Sequence, residues 1–392
     1  MRCLLIILTL VGMTTLQAGD AELFGYYESQ YMGSEIGETY YQVYSNKLRI
    51  DLSGGLSERI TFAANFDYIT YNGKTVWNIL DLLDATIAAQ VPAGAEGFFV
   101  FPFQDRNFLD NAYLKLAFDR FDLTVGKQQL ALGTGYAWNP LDVFNVKDLL
   151  DPSYEQPGHN AVRIDFPISR SFNLTVLVSP EDTWDNSDKM VELKGRLGRF
   201  DFSVNAIEKL WSYTDFMTLD PVIGFPATAE RRRLAGFSTA GELLGLGLWA
   251  EYGYNDLSVS EDFYELAAGI DYTLDWGTYL MAEYFCYSAG KTAVTDYTLN
   301  DWMRVYANEQ KALSRDQLYL FAMHPLTDLT VASLSTIINI SDGSTALVPA
   351  LEYSFSDNVE ITAYASFNLG KAGTVFDSDQ GKGGIIRVRV YF

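Results

Sequence analysis

Cysteine is almost missing from this chain, histidine is as scarce, and basic residues are heavily outnumbered. Each shortage removes a class of reading. Only Cys3 and Cys286 occur in 392 residues. Cys3 lies in an apolar leader, so the rest of the chain keeps one cysteine and has no internal disulfide. The two histidines, His159 and His324, form no zinc pair, and no Gly-rich phosphate loop precedes a helix. No catalytic residue, metal site or cofactor is therefore expected, and the chain does not read as an enzyme. With 50 acidic against 28 basic residues, the formal charge of −22 speaks against nucleic acid as a partner, because phosphate would be repelled. Beyond the leader no uncharged stretch reaches the ~18 residues of a membrane helix.

The leader itself, "MRCLLIILTLVGMTTLQAGDAEL", has one positive charge at Arg2, an apolar run and then small residues. It reads as a secretory signal peptide over residues 1–18, with cleavage after Ala18 preferred to Ala21. Residues 19–392 then form a single domain.

What the chain has in abundance is aromatic residues, 25 Tyr and 25 Phe, set in alternating segments. Leu48, Ile50 and Leu52 share one face and Lys47, Arg49 and Asp51 the other. Val359, Ile361, Ala363, Ala365 and Phe367 likewise oppose Glu360, Thr362, Tyr364, Ser366 and Asn368. Short turn sequences such as "SGGLS" at 53–57, "SRS" at 169–171 and "LDWG" at 274–277 alternate with longer polar loops. Those loops span about 32–39, 71–106, 130–159, 180–188, 211–230, 256–261, 289–315, 341–344 and 370–382. This alternation puts all turns on one side and all loops on the other, and it spells about 18 strands. A soluble sandwich would show the same faces, but with connections of similar length on both sides. The expected fold class is therefore all-β, a transmembrane antiparallel β-barrel with short periplasmic turns and long extracellular loops. Tyrosines near strand ends, among them Tyr26, Tyr27, Tyr252 and Tyr254, suit two interfacial girdles.

The closing "GGIIRVRVYF", with Ile386, Val388, Val390 and Phe392 on one face, resembles the C-terminal signature by which Gram-negative outer-membrane barrels are recognised for assembly. A second stretch, "VGKQQLALGTGYAWNPLDVFN" at 125–145, resembles a segment of porin-like families, including those related to alginate-export-type eighteen-stranded barrels. The resemblance implies a porin-like barrel, and it names no polymer.

If apolar faces meet lipid, the opposite faces line the lumen. Basic pore-lining candidates are Lys47, Arg49, Arg59, Lys115, Arg163, Lys194, Arg196, Arg387 and Arg389, one continuous arc once the last strand closes on the first. Acidic candidates are Glu251, Glu265, Asp271, Glu283, Glu352 and Glu360, on the opposite arc. Opposed charge rows would set up a transverse field. Alternatively the basic arc pairs with Asp51, Asp67, Asp122, Asp165, Glu192 and Asp201 and merely stiffens the wall.

Two loops are long enough to enter the lumen. The loop at 130–159 carries Trp138, Asn139, Pro140, Asp142 and Phe144 as constriction candidates. That at 71–106 has Val76, Trp77, Leu80 and Leu83 on one face of an expected short helix, either a constriction or a cover for the outer mouth. "ERRRL" at 230–234 lies near the loop-side mouth, where it would draw in anions, contact lipid phosphates or be simply solvated. Acidic "PEDTWDNSD" and "DSDQG" lack a complete calcium-loop motif and read as solvated charge.

The expected function is an outer-membrane porin for small hydrophilic solutes, with the basic arc favouring anions. An exporter of an anionic polysaccharide and a closed adhesive barrel are the alternatives. The expected partners are outer-membrane lipid, the barrel assembly machinery and a small hydrophilic solute.

Overall fold

Alternation of apolar and polar residues over ten or more positions leaves the chain one way to satisfy both faces and its backbone in lipid, which is a sheet closed on itself. The computed structural model, which describes residues 21–37, 39–147 and 155–392, is such a sheet. The expected signal peptide lies outside the described residues.

The strands are β1 (Glu22–Ile36), β2 (Thr39–Ser57), β3 (Ile60–Gly73), a short pair β4 (Val76–Asn78) and β5 (Val100–Pro102), β6 (Arg106–Ala117) and β7 (Asp122–Gln129). There follow β8 (Gly158–Ser169), β9 (Phe172–Ser179), β10 (Asp188–Leu197), β11 (Phe200–Thr214), β12 (Ala227–Leu243), β13 (Leu246–Leu257) and β14 (Phe263–Thr273). The last are β15 (Tyr279–Tyr287), β16 (Asp316–Thr327), β17 (Thr330–Asn339), β18 (Ser344–Ser356), β19 (Val359–Asn368) and β20 (Lys382–Tyr391). All but β4 and β5 join one antiparallel sheet of 18 strands, closed where β20 pairs with β1. Glu28 stands opposite Arg389 in that seam, and the backbones of Gly25 and Phe392 exchange hydrogen bonds at 3.1 and 3.0 Å, so pairing runs to the final residue.

The outer face is apolar all round. Leu52, Phe66, Leu114, Val162, Val204, Phe237, Ile270, Leu320, Leu334, Leu351, Ile386 and Val388 are all exposed. So large an exposed apolar surface belongs in hydrocarbon rather than in water. The protein is a multi-pass outer-membrane β-barrel.

The structure alters several expectations in detail. Only residues 37 and 38 separate β1 from β2, because the polar stretch at 32–39 extends the strands as a hairpin. The connection at 340–343 is also short, so short and long connections do not alternate strictly. Strand β2 continues through "SGGLS", and the turn falls at Glu58 and Arg59. The helix expected from Val76 does not form as one piece. The segment is instead β4, a 3-10 turn Ile79–Leu82 and a single helical turn Ala85–Ala88, divided where Asp84 caps the second by accepting from the Thr86 N–H. An unforeseen helix, Leu299–Tyr306, lies in the loop at 289–315, started by a capping box between Thr298 and Asp301.

These two loops, with residues from 216–225 and Val375, build a cap with its own dry core: Leu83, Ile87, Phe99, Leu299, Trp302 and Met303 are buried together, and Phe216, Phe225 and Val375 pack on them. On the membrane face, Leu334→Arg places a charge among lipid-facing residues and should cost about 2–4 kcal/mol if it lies near the bilayer midplane. Refolding into lipid vesicles, followed by heat-modifiable gel mobility, measures this; unchanged refolding would contradict a lipid-facing β17.

Candidate functional site

The loop after β7 turns into the barrel instead of away from it. Its first residues, Leu130, Leu132 and Leu141, bury against inward-facing Ala161, Leu177, Met190, Ile207 and Leu234. Farther on, Trp138 stacks on Phe285 at 5.1 Å between centroids with planes only 7° apart, amid Ala267, Met281, Tyr319, Ile337 and Ala346. The constriction candidates therefore lie within the lumen, and burial of these apolar groups at ~25 cal/mol per Å² drives the loop there.

A buried loop must satisfy its amides. Two wall carboxylates do so. Glu283 accepts from the N–H groups of Tyr136 (2.7 Å), Ala137 (3.0 Å) and Trp138 (2.8 Å), and from the Trp249 indole at 2.6 Å. Glu251 accepts from the N–H groups of Thr134, Gly135 and Leu141. Gly133 has φ +86° and faces the Glu251 carboxylate, and Gly135 packs on the Trp138 carbonyl, so a side chain at either would displace the turn. Lys311, from the cap loop, donates to the carbonyls of Asn139 (2.6 Å) and Pro140 (3.3 Å) and to Glu265 at 2.8 Å. Asp142 caps its own turn by accepting from the N–H groups of Phe144 and Asn145, both at 3.0 Å. Burial raises the Asp142 carboxyl against those hydrogen bonds and lowers the Lys147 ammonium, which donates to the carbonyls of Gly135 and Tyr136.

The acidic arc is corrected accordingly. Glu251 and Glu283 point inward but are 1% and 0% exposed, spent on the loop rather than lining open water, and Glu265, 1% exposed, is held by Lys311 at the edge of the loop-side cavity. Asp271 accepts from the Tyr279 hydroxyl at 3.1 Å, and Glu360 from Tyr391 and Thr362. Among the acidic candidates Glu352 alone is exposed.

Each of the nine basic candidates has an acidic partner within 4 Å. Arg59 sits in the β2–β3 turn and pairs with Asp119, both largely exposed, outside the wall. Arg196 pairs with Asp201 beside the β10–β11 turn, at the rim. Lys115–Asp122 (2.9 Å), Arg163–Asp165 (2.9 Å) and Lys194–Glu192 (3.2 Å) brace the turn-side lumen. Arg49 reaches Asp51, Asp67 and Asp110, the last brought inward because it is the extra residue of a bulge in β6. At the closing seam Arg387 and Arg389 both engage Glu28, at 3.6 and 2.7 Å.

The residue that ties this cluster together, Glu155, went unnoticed in the sequence, where "YEQPG" offers only a turn. It receives Lys47 at 2.6 Å, Arg389 at 3.2 Å and the Tyr26 hydroxyl at 2.7 Å. The loop is therefore fastened at its far end to the basic arc. Residues 148–154 lie outside the described part.

Cavities remain between these fastenings, among them one of about 690 Å³ bordered by Gly133, Thr134, Glu192 and Lys194. A loop-side one of about 790 Å³ is lined by Lys47, Arg49, Arg106, Lys209, Arg232 and Lys311, and by as many acids: Asp67, Asp110, Asp142, Glu155, Glu265 and Glu309. A turn-side one of about 500 Å³ is lined by Arg49, Lys115, Arg163, Asp51, Asp165, Asn65 and Gln128. Arg49 lines the loop-side and turn-side cavities and marks their junction.

No protein-family model matches the chain, and no curated protein does. Among solved structures it is similar to a loop-L8 deletion mutant of OmpT, an outer membrane protein of Vibrio cholerae (11% identity, 96% of this chain and 100% of that one, TM-score 0.48). It is also similar to a triple mutant of the Rhodopseudomonas blastica porin (14% identity, 95% and 100% covered, TM-score 0.48).

Glu283→Gln, combined with Glu251→Gln, removes the charge from seven charge-assisted hydrogen bonds. The loop should loosen, single-channel conductance should rise, and Trp138 should shift its emission to the red as it leaves Phe285. A double variant with wild-type conductance and emission would refute the fastening. The second test concerns acid. Burial alone would raise the Glu155 carboxyl, but Lys47, Tyr26 and Arg389 outweigh it and hold it below the ordinary range. Because its pKa is depressed on folding, its contribution is complete above the ordinary value of ~4.3 and is lost only as pH falls through the lower one. Current noise should stay flat from neutral pH to about 4.5 and grow below it, whereas Glu155→Gln should be noisy throughout.

Proposed function

We propose that the chain is an outer-membrane channel rather than an enzyme, passing small hydrophilic solutes with a preference for anions. One observation carries this reading: the infolded loop lies against the wall that bears Glu251 and Glu283 and takes up both carboxylates, while Lys311 of the cap loop holds Glu265. What remains open runs along the opposite wall, past Lys47, Arg49, Lys115 and Arg163. Their acidic partners moderate the potential, so the preference is a bias and not an exclusion. The two histidines support the non-enzymatic reading, because His159 begins β8 on the loop side and His324 lies near the turn end of β16.

A lumen narrowed by a loop with so many fastenings suits small solutes better than a polymer. Kinship with alginate-export-type barrels rests on the stretch 125–145 alone. In a salt gradient across a planar bilayer the reversal potential should take the sign of anion preference, and Arg49→Gln should move it toward zero. A cation-selective sign would overturn the preference, and absence of stepwise conductance would overturn the channel.

A further inference from the structure

The run Glu230–Leu234 is split by the alternation of β12. Arg231 and Arg233 turn outward and pair with Glu208 at 3.2 and 3.3 Å. Arg232 turns inward to the loop-side cavity, and it is nine-tenths buried, with 9% of its surface exposed. Its Nε donates to Asn255 Oδ1 at 2.7 Å, and the guanidinium lies 5.1 Å from the Phe263 ring and 5.9 Å from that of Trp211. Among the described residues its Nη2 has no hydrogen-bond partner. The nearest carboxylate, Glu265, stands 4.0 Å off and is already held by Lys311 at 2.8 Å. Glu309, across the same corner, is spent on the Thr214 N–H (2.8 Å) and hydroxyl (2.7 Å).

A guanidinium offers five donors, and leaving one buried and idle is costly. Glu309 is engaged elsewhere, and Glu265 Oε1 meets Arg232 only at ion-pair distance while Lys311 holds Oε2, so one guanidinium donor is left for an acceptor from outside the protein. We propose that the corner formed by Arg232, Trp211, Phe263 and Tyr287 binds a small organic oxyanion with a flat apolar body. The oxyanion meets the guanidinium fork and the body lies along the aromatic rings. The planar fork matches a carboxylate or phosphate bidentately, and flanking rings favour a solute that is charged at one end and apolar at the other. The cavity's 790 Å³ falls within the range of small-molecule sites. The site rests on the channel reading, since solute reaches the cavity through the lumen.

The test is calorimetry on the full chain folded in detergent, with benzoate, benzyl alcohol and inorganic phosphate as probes. Benzoate should bind saturably, and benzyl alcohol and phosphate each about tenfold more weakly or worse, as loss of a charge-assisted hydrogen bond or of ring contact implies. Arg232→Gln should weaken benzoate by about tenfold or more and Arg232→Lys by less, with heat-modifiable mobility showing that each variant is folded. Should Arg232→Gln fail to fold, Trp211→Leu replaces it and should weaken benzoate while sparing phosphate. Equal affinity for benzoate and benzyl alcohol, or no effect of Arg232→Gln, overturns the anion site. Equal affinity for benzoate and phosphate overturns the flat apolar body. Bilayer recordings separate the two readings: conductance without benzoate binding removes the site alone, and binding without conductance removes the channel alone.

Discussion

Everything inside this barrel depends on six backbone N–H groups finding two carboxylates. A segment drawn into the lumen trades water for protein, and its amides would be left without acceptors if the wall offered only side chains of the usual lumen kind. Glu283 and Glu251 meet that demand, three amides each. The exchange is mutual, because a carboxylate with no water and no partner would be as costly as the amides. The interaction therefore does two things at once. It holds the loop within the barrel, and it cancels the negative face that the same residues would otherwise present to a solute.

The opposite wall follows different physics. There the charges are numerous, exposed in part to water and paired within the wall, and pairs of that kind contribute little individually. Their value lies in placement. Glu155 arrives from the loop rather than from a neighbouring strand, and it meets Lys47, Arg49 and Arg389 together. Strand β20 thus closes the barrel through its ladder with β1 and, through Arg389, holds the far end of the loop. One ten-residue strand meets lipid with Ile386, Val388 and Val390 on one face and anchors the loop through Arg389 on the other.

The architecture was readable in the sequence because strand alternation and connection length are local properties. Eighteen strands, the outward Ile386, Val388 and Val390, and the inward Arg387 and Arg389 all followed from period two. What was not readable was the partner of each inward group. Glu251 and Glu352 are both inward acids on polar faces, yet one is buried by the loop and the other is exposed, a difference set by where a segment more than a hundred residues away comes to rest. One local signal does stand in the sequence. Leu177, Met190, Ile207 and Leu234 occupy inward positions where a water-filled lumen would have polar residues. An apolar band on an inner wall needs a cover, and the long loop after β7 was the segment with leucines to supply it. The helix Leu299–Tyr306 likewise has its local signal in Thr298 and Asp301, the two halves of its capping box.

Lys311 shows why these parts do not act separately. Its ammonium joins the cap loop to the carbonyls of Asn139 and Pro140 and to Glu265 on the wall. The cap has its own apolar core, as does each contact of the infolded loop with the wall, and dry cores resist small deformations because they are close-packed. The loop-side cavity lies among these rigid bodies, and its lining is charged where they are apolar. A solute entering it meets a surface whose geometry is set by cores it never touches. Arg232 stays buried and incompletely satisfied within that frame, flanked by Trp211 and Phe263 on the wall.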